Sequence, residues 1–248
     1  MRLAALYDIH GNLRALEAVL AEVEREAPDR VLIGGDVALG PLPRETLERL
    51  ARLGTRAVFL RGNCDREMAA ANDTAVNSPW GRRTKWAAGR CSPTQLEFLA
   101  GLPTTVTLPI DGLGPVLFCH GSPRRDDEIL TQISPDDRLR AALGHTDERI
   151  IVSGHTHVQY SREAIGRRWI NPGSVGMAYE TSPGARWALF GPDVSLRCTP
   201  YDASALAADV RTSGFPDPEE FVEKYVASSP DPAEVTKLFE KMAESAKS

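Results

Sequence analysis

Long apolar runs are absent from this sequence of 248 residues. The first apolar stretch, from Leu3 to Tyr7, stops at Asp8. A secretory signal peptide needs a longer apolar core, and a membrane-spanning helix needs about 18 consecutive apolar residues. The sequence therefore predicts a cytoplasmic protein that does not enter a membrane.

Paired cysteines and an excess of positive charge are also absent. Cys64, Cys91, Cys119 and Cys198 form no Cys-x-x-Cys pair, which favours free thiols in a reducing compartment. The net charge is −5, whereas a general nucleic-acid-binding protein needs excess Lys and Arg to displace counterions. Stable binding to nucleic acid is therefore not expected.

Short apolar runs alternate with helical patterns near the start of the chain. We predict strands at Leu3–Tyr7, Arg30–Ile33 and Arg56–Leu60, and helices at Asn12–Glu26 and Pro43–Arg52. Strand–helix–strand repeats of this kind predict a parallel α/β sheet with right-handed crossovers.

The later part of the chain is less regular. We predict a helical, cap-like insertion over 66–101, strands at Thr104–Leu108, Pro115–Cys119 and Arg149–Val152, and a helix that Ser134 caps. The length suits one main domain, assigned to 1–200, and we expect 201–248 to form a helical extension packed on it.

Polar side chains follow five of the apolar runs. The blocks are Asp8-Ile9-His10-Gly11-Asn12, Gly35-Asp36, Gly62-Asn63-Cys64-Asp65, His120-Gly121 and Gly154-His155-Thr156-His157. In open α/β sheets, sites form at the carboxyl ends of the strands. If the chain stays extended there, Asp8 and His10 point the same way, as do His155 and His157. Any single block could be ordinary turn and capping chemistry, but the five blocks together predict one site.

Carboxylate, imidazole and amide ligands suit Mn²⁺, Fe, Co²⁺, Ni²⁺ or Zn²⁺ better than Ca²⁺ or Mg²⁺ alone. Six or seven ligands are too many for one tetrahedral zinc, but they are enough for two metals that share a carboxylate. Two such metals, roughly 3.5–4 Å apart, are a standard device for in-line attack at phosphorus.

The five blocks, in this order, resemble the calcineurin-like metallophosphoesterase superfamily. The resemblance covers about Met1–Val175, and Asn171-Pro172-Gly173-Ser174 is similar to a segment of the small bacterial and archaeal phosphodiesterases of that superfamily. It implies a four-layer α/β/β/α sandwich with a metallophosphoesterase domain over 1–200. It also implies a small phosphodiester or nucleotide-like substrate.

The resemblance also implies roles for individual residues. One metal would be held by Asp8, His10, Asp36 and His157, and the other by Asp36, Asn63, His120 and His155. Asp36 would bridge two divalent ions, with Mn favoured for activity and Fe, Zn, Ni and Co as alternatives, and a hydroxide between the ions would attack phosphorus. The candidate catalytic residues are Asp36, Asn63, Cys64, Asp65 and His120, and the candidate substrate contacts are Asn12 and Arg124.

Cys64 departs from the pattern of many superfamily phosphatases, which have a histidine after the motif asparagine. A thiol with a pKa near 8.5 is a poorer acid near neutral pH than an imidazole near 6.5. The small phosphodiesterases also have Gly-Asn-Cys-Asp, so the sequence favours a phosphodiesterase whose leaving group needs little protonation.

Two other classes of function stay open. A phosphomonoesterase, including a protein phosphatase or a dinucleoside polyphosphate hydrolase, would use the same ligands. A non-catalytic scaffold could use the same fold, although such relatives usually lose ligands that this chain keeps. The sequence is compatible with a monomer or a homodimer.

Overall fold

The computed structural model describes residues 1–71 and 76–245, and its first part alternates strands and helices. It forms strand β1 (Leu3–Leu6), helix α1 (Leu13–Glu26), strand β2 (Arg30–Ile33), helix α2 (Pro43–Ala51) and strand β3 (Ala57–Phe59). Each boundary lies within about one residue of the prediction, as expected because helix and strand ends fray.

Three helices follow in the segment predicted as an insertion. They are α3 (Asn63–Ala69), α4 (Pro79–Arg90) and α5 (Pro93–Ala100). Helix α3 starts before residue 66, because the chain turns into a helix directly at the Gly62-Asn63 block. Residues 72–75 of the insertion lie outside the described residues. A capping function for this segment stays a prediction.

The second half of the sandwich comes from the middle of the chain. Its elements are β4 (Thr105–Ile110), β5 (Gly114–Cys119), α6 (Asp136–Leu143), β6 (Ile150–Val152), β7 (Tyr160–Ala164) and β8 (Arg167–Asn171). The five strands form a sheet in the order β4-β5-β6-β8-β7. Strands β5, β6 and β8 are parallel, and the antiparallel strands β4 and β7 form the two edges.

The chain then returns to the first sheet. Strands β9 (Ala185–Phe190) and β10 (Val194–Thr199) complete the order β10-β9-β1-β2-β3, in which β1, β2 and β3 are parallel. Helices α7 (Ala203–Thr212), α8 (Pro218–Phe221) and α9 (Pro232–Ser245) follow, with a π-helical turn (Val222–Val226) after α8.

Strand β1 is buried on both faces, which explains its uninterrupted apolar sequence. Leu3 and Ala5 point between the two sheets, where Phe118 and Phe190 meet edge-to-face at 5.5 Å between ring centroids. Ala4 and Leu6 point the other way, towards the helices that cover the first sheet. Helix α6 covers the outer face of the second sheet. The predicted four-layer α/β/β/α sandwich is therefore confirmed.

Hydrophobic helices of membrane-spanning length do not occur in the ranges 1–71 and 76–245.

Ser134 does not cap α6 as the sequence predicts, because Pro135 stands at the cap position and makes no side-chain cap bond. The Ser134 hydroxyl instead donates a hydrogen bond to Glu240 at 2.6 Å. Thr131 donates to the same carboxylate at 2.6 Å, and the Arg138 guanidinium donates to its other oxygen at 2.8 Å. This cluster, the Glu240 clamp, fastens α9 to the second half of the sandwich.

We predict that Glu240→Ala releases α9. Arg138 is 4% exposed and would lose its carboxylate, so the free energy of opening of α9 should fall by about 3 kcal/mol. Hydrogen exchange of the α9 amides measures this opening. Glu234→Ala on the same helix is the matched control, because its pair with Lys237 is exposed to solvent and contributes little to stability. Equal exchange rates in both variants would refute the prediction.

Candidate metal centre

The seven predicted metal ligands come together at one end of the sandwich. Asp8 and His10 follow β1, Asp36 follows β2, Asn63 follows β3, His120 follows β5, and His155 and His157 follow β6. Backbone hydrogen bonds continue past the strand ends, from the His10 N–H to the Asp36 carbonyl at 2.9 Å and from Gly154 to His120 at 2.8 Å. The two sheets thus contribute to a single cluster.

Two buried carboxylates lie at the centre of the cluster. Asp8 Oδ1 lies 3.3 Å from Nε2 of His157, 3.7 Å from that of His120 and 3.9 Å from that of His10. Asp36 Oδ2 lies 3.3 Å from Nε2 of His120 and 3.7 Å from that of His10. Imidazole nitrogens therefore surround both carboxylates.

Ligand-type atoms within 4.8 Å of one another form two groups, one of Asp8, His10 and His157 and one of Asp36, His120 and His155. His10, Asp36 and Cys64 form a third, overlapping group. Two adjacent groups linked through Asp36 resemble the arrangement of a two-metal site.

The unsatisfied atoms of the cluster provide a test of whether it fits a cation. Asp8 Oδ1, Asn63 Oδ1 and His120 Nε2 are buried without a hydrogen-bond partner in the described part of the chain. A buried polar atom without a partner is costly. The Nε2 atoms of His10 and His157 also face each other at 3.2 Å. Carboxylate, amide and imidazole atoms that converge in this way fit divalent cations.

Backbone carbonyls orient three of the imidazoles. Nδ1 of His10 lies 3.2 Å from the Leu39 oxygen, Nδ1 of His120 lies 2.8 Å from that of Gly34, and Nδ1 of His157 lies 2.9 Å from that of Met177. A carbonyl accepts a hydrogen bond, so each neutral ring carries its proton on Nδ1. The lone pair of each Nε2 then points into the cluster, as metal binding requires.

The backbone beneath these ligands is not extended, so the geometric reason given above for their shared direction is wrong. Asp8, His10, Asp36, His155 and His157 all have φ between 48° and 66°, in the left-handed region. Asp and His enter this region more readily than most residues, at a cost of roughly 1–3 kcal/mol each. These five ligands therefore reach the cluster from left-handed turns at the end of the sandwich.

Asp65 and Cys64 hold the loop that carries Asp36. The Asp65 carboxylate accepts hydrogen bonds from the backbone N–H groups of Asp36, Val37 and Gly62 at 2.9 to 3.0 Å. The Cys64 backbone N–H and thiol donate to the two Asp36 oxygens at 2.8 and 2.9 Å. Both side chains thus position Asp36, and a catalytic role for either stays a prediction.

Burial and the charges of neighbouring side chains shift the pKa values of the cluster residues in opposite directions. Burial lowers the pKa of His10 and of His155 to about 4, which keeps both rings neutral. Burial alone would lower the pKa of His120 too, but Asp36 and Asp8 outweigh it and raise that pKa to about 10. A cation would have to displace this proton. Burial would raise the pKa of Asp36, but the histidines, led by His120, hold it below its usual range.

The two candidate substrate contacts are engaged elsewhere. The Asn12 side chain accepts a hydrogen bond from the Ala15 N–H at 3.0 Å and donates one to the Gly176 carbonyl at 3.0 Å. Both the oxygen and the nitrogen of its amide are therefore engaged in hydrogen bonds within the protein. The Arg124 guanidinium pairs with Glu128 at 2.9 Å. Substrate binding by either residue stays a prediction.

The Asn171-Pro172-Gly173-Ser174 segment supports the site from behind. Asn171 donates hydrogen bonds to the Gly154 carbonyl at 2.9 Å and to the Thr156 hydroxyl at 3.0 Å. The Ser174 hydroxyl donates to the Asp8 carbonyl at 2.7 Å. The segment thereby ties the two ligand loops of β1 and β6 together.

Sequence reasoning missed the aromatic neighbour Tyr179, which stacks on His157 with ring centroids 5.1 Å apart. Phe239 of α9 lies beyond it at 6.2 Å. No motif or spacing predicts these contacts, because they depend on where the later helices pack. Trp80 of α4 meets His10 edge-on, with ring centroids 6.3 Å apart.

Comparisons with known proteins agree with this geometry. The family model of the calcineurin-like phosphoesterase superfamily domain matches residues 1–190. An uncharacterized protein of Methanocaldococcus jannaschii, MJ0912, is 27% identical over 205 residues, which cover 76% of this chain and 82% of that protein.

Two solved structures are similar over nearly the whole chain. A metallophosphoesterase from Sphaerobacter thermophilus has a TM-score of 0.71 and 28% identity, with 90% of this chain and 97% of that chain covered. The hypothetical protein PH1004 from Pyrococcus horikoshii has a TM-score of 0.79 and 20% identity, with 92% and 99% covered.

The chain therefore belongs to the calcineurin-like phosphoesterase superfamily. This superfamily comprises phosphoric ester hydrolases that use divalent metals. The chain has a cluster of Asp and His side chains that could hold such metals.

We predict that Gly62→Ala disturbs the cluster. A Cβ atom there would lie 2.1 Å from Asp36 Oδ1 and 2.4 Å from the Asp36 backbone nitrogen, so the Asp36 loop must move. The free energy of unfolding, measured by urea denaturation, should fall by roughly 1–3 kcal/mol. Gly89→Ala is the control, because that glycine has open space and should gain about 0.5–1 kcal/mol from helix propensity. If Gly62→Ala had the same free energy of unfolding as the wild type, this prediction would be wrong.

Proposed function

We propose that this protein is a two-metal phosphodiesterase that hydrolyses a small or nucleotide-like phosphodiester. The observation that carries the proposal is the pair of ligand groups around Asp8 and Asp36. Each group includes a buried atom without a hydrogen-bond partner in the described residues, and these two atoms, Asp8 Oδ1 and His120 Nε2, lie 3.7 Å apart. In this proposal Asp8, His10 and His157 bind one cation, Asn63, His120 and His155 bind the other, and Asp36 contributes to both.

The chain's own residues prepare this site for cations. Carbonyl groups fix the imidazole protons on Nδ1, and Cys64 with Asp65 fixes the Asp36 carboxylate before any ion arrives. Divalent cations bound there would polarise the phosphoryl group and make a water molecule acidic enough to attack phosphorus near neutral pH. Manganese is our first candidate ion for activity.

The state of Cys64 supports a substrate whose leaving group needs little protonation. Its side chain is 1% exposed and its thiol proton is directed at Asp36, so it is poorly placed to protonate a leaving oxygen. Burial, followed by the Asp36 charge, also raises the pKa of this thiol well above its ordinary value. A substrate whose leaving group departs as a stable anion needs no such acid.

A scaffold function is disfavoured because the chain keeps a full set of ligand-type side chains. Left-handed backbone at five of them and three buried unsatisfied atoms are costs that a scaffold would have no reason to keep.

We predict metal-dependent hydrolysis of diesters. Metal-stripped protein should be inactive, and added Mn²⁺ should restore turnover of a nitrophenyl phosphodiester at a rate above that of the matching monoester. Asp36→Asn should abolish this turnover, whereas Asp193→Asn should not, since Asp193 is exposed and outside the cluster. Faster turnover of the monoester would favour a phosphatase. Inactivity on both esters with metal bound would refute a general diesterase.

We also predict that Cys64→His extends the substrate range. An imidazole beside the metal cluster could protonate a poor leaving group, so hydrolysis of alkyl phosphate esters should rise by at least about tenfold. Rates on alkyl and nitrophenyl esters, measured side by side, should converge. Cys198→His is the control. Cys198 is exposed, so this substitution should leave both hydrolysis rates unchanged. If the alkyl rate does not rise, the missing acid is not what limits the enzyme.

A further inference from the structure

The two ends of the Asn63 side-chain amide have different surroundings, since the nitrogen has hydrogen-bond partners and the oxygen has none in the described residues. Oδ1 is buried and has no hydrogen-bond partner in the part of the chain that the structure describes. Nδ2 donates a hydrogen bond to Glu67 Oε1 at 3.3 Å and contacts the Cys64 sulfur at 3.5 Å. Only the oxygen of an amide can serve as a metal ligand, so this orientation is the one that metal binding needs.

Glu67 is placed to hold that orientation. It lies four residues after Asn63 on α3, so the two side chains share one face of the helix. Its second oxygen, Oε2, accepts a hydrogen bond from the Trp80 indole N–H at 3.3 Å. The carboxylate is thus fixed between α3 and α4, and the oxygen nearest Asn63 can only accept a hydrogen bond. If the Asn63 amide were flipped, its oxygen instead of its nitrogen would face Glu67 Oε1, and two hydrogen-bond acceptors would lie against each other.

Trp80 connects this contact to the other side of the cluster. Its ring meets His10 edge-on, with centroids 6.3 Å apart, while its N–H holds Glu67. One side chain of α4 therefore contacts a predicted ligand of one metal directly, and reaches a predicted ligand of the other through Glu67.

We propose that Glu67 is a positioning residue for the second metal, which fixes the Asn63 amide with its oxygen towards the ion, and that Trp80 holds Glu67 in place. The inference rests on the proposed metal-binding role of Asn63. Groups that orient a metal ligand in this way typically contribute about tenfold to a hundredfold in metal affinity.

Calorimetric titration of Mn²⁺ into metal-stripped full-length protein tests the proposal without relying on turnover. Glu67→Ala should weaken one of the two binding events by about tenfold or more and leave the other unchanged. Trp80→Phe keeps the ring beside His10 but removes the N–H, so it should weaken the same event by less. Glu48→Ala is the matched control, because that glutamate is exposed and pairs with Arg44.

A double-variant cycle separates positioning from simple attraction by the Glu67 charge. If Glu67 acts through Asn63, adding Glu67→Ala to Asn63→Ala causes no further loss of affinity. If it acts by charge alone, the second change weakens binding again, and the inference is overturned. Glu67→Gln keeps one oxygen to accept the Asn63 hydrogen bond but loses the acceptor for the Trp80 N–H, so it should weaken binding only as much as Trp80→Phe does. A charge effect would instead make it as weak as Glu67→Ala.

The same experiment distinguishes failure of the inference from failure of the proposed function. If Asn63→Ala binds both ions as the wild type does, Asn63 is not a ligand and the proposed site is wrong. If Asn63→Ala loses affinity and Glu67→Ala does not, the site stands and the positioning role is wrong. Circular dichroism melts of each metal-stripped variant show whether a loss comes from unfolding, and Glu67→Gln then carries the test.

Discussion

The buried Asp36 carboxylate is the group on which the organisation of the site depends. A carboxylate removed from water must be compensated by hydrogen bonds and opposite charge, or it will bind a proton or destabilise the fold. Here Cys64 donates two hydrogen bonds to it, and His120 lies 3.3 Å away on the other sheet. The charge therefore draws β2, α3 and β5 to one point, and the same charge attracts cations to that point.

Backbone strain is the second cost of gathering so many polar groups. Five of the eight non-glycine residues with left-handed φ in the described ranges are predicted ligands. These strained conformations persist because hydrogen bonds and packing in the surrounding loops hold them in place. Asp65 fastens the loop after β2, and Ser174 fastens the loop after β1. Motif residues that never touch an ion can thus be as necessary to the site as the ligands are.

The sequence predicts the ligand set because parallel strands of one sheet end at a common edge. Residues that follow Leu6 and Ile33 must therefore meet in the first sheet, as must those that follow Cys119 and Val152 in the second. It does not predict how those residues point, since an extended chain and a left-handed turn both bring Asp8 and His10 together. It also misplaces Ser134, whose partner Glu240 lies 106 residues away. Local propensity carries no information about a contact between residues so far apart in sequence. For the same reason it does not predict that Tyr179 and Phe239 pack near His157.

The helices that surround the cluster are different parts of the chain from the loops that carry its ligands. Loops after strand ends supply six of the seven predicted ligands, and the first turn of α3 supplies Asn63. Helices α4 and α9 supply aromatic groups, Trp80 against His10 and Phe239 behind Tyr179. Ligands on strand ends are constrained by both sheets, so they tolerate little change. Helices packed on the outside can vary in sequence without disturbing the strands. Changes in α4 and α9 can therefore alter the surroundings of the cluster while the ligand loops of the sandwich keep their arrangement.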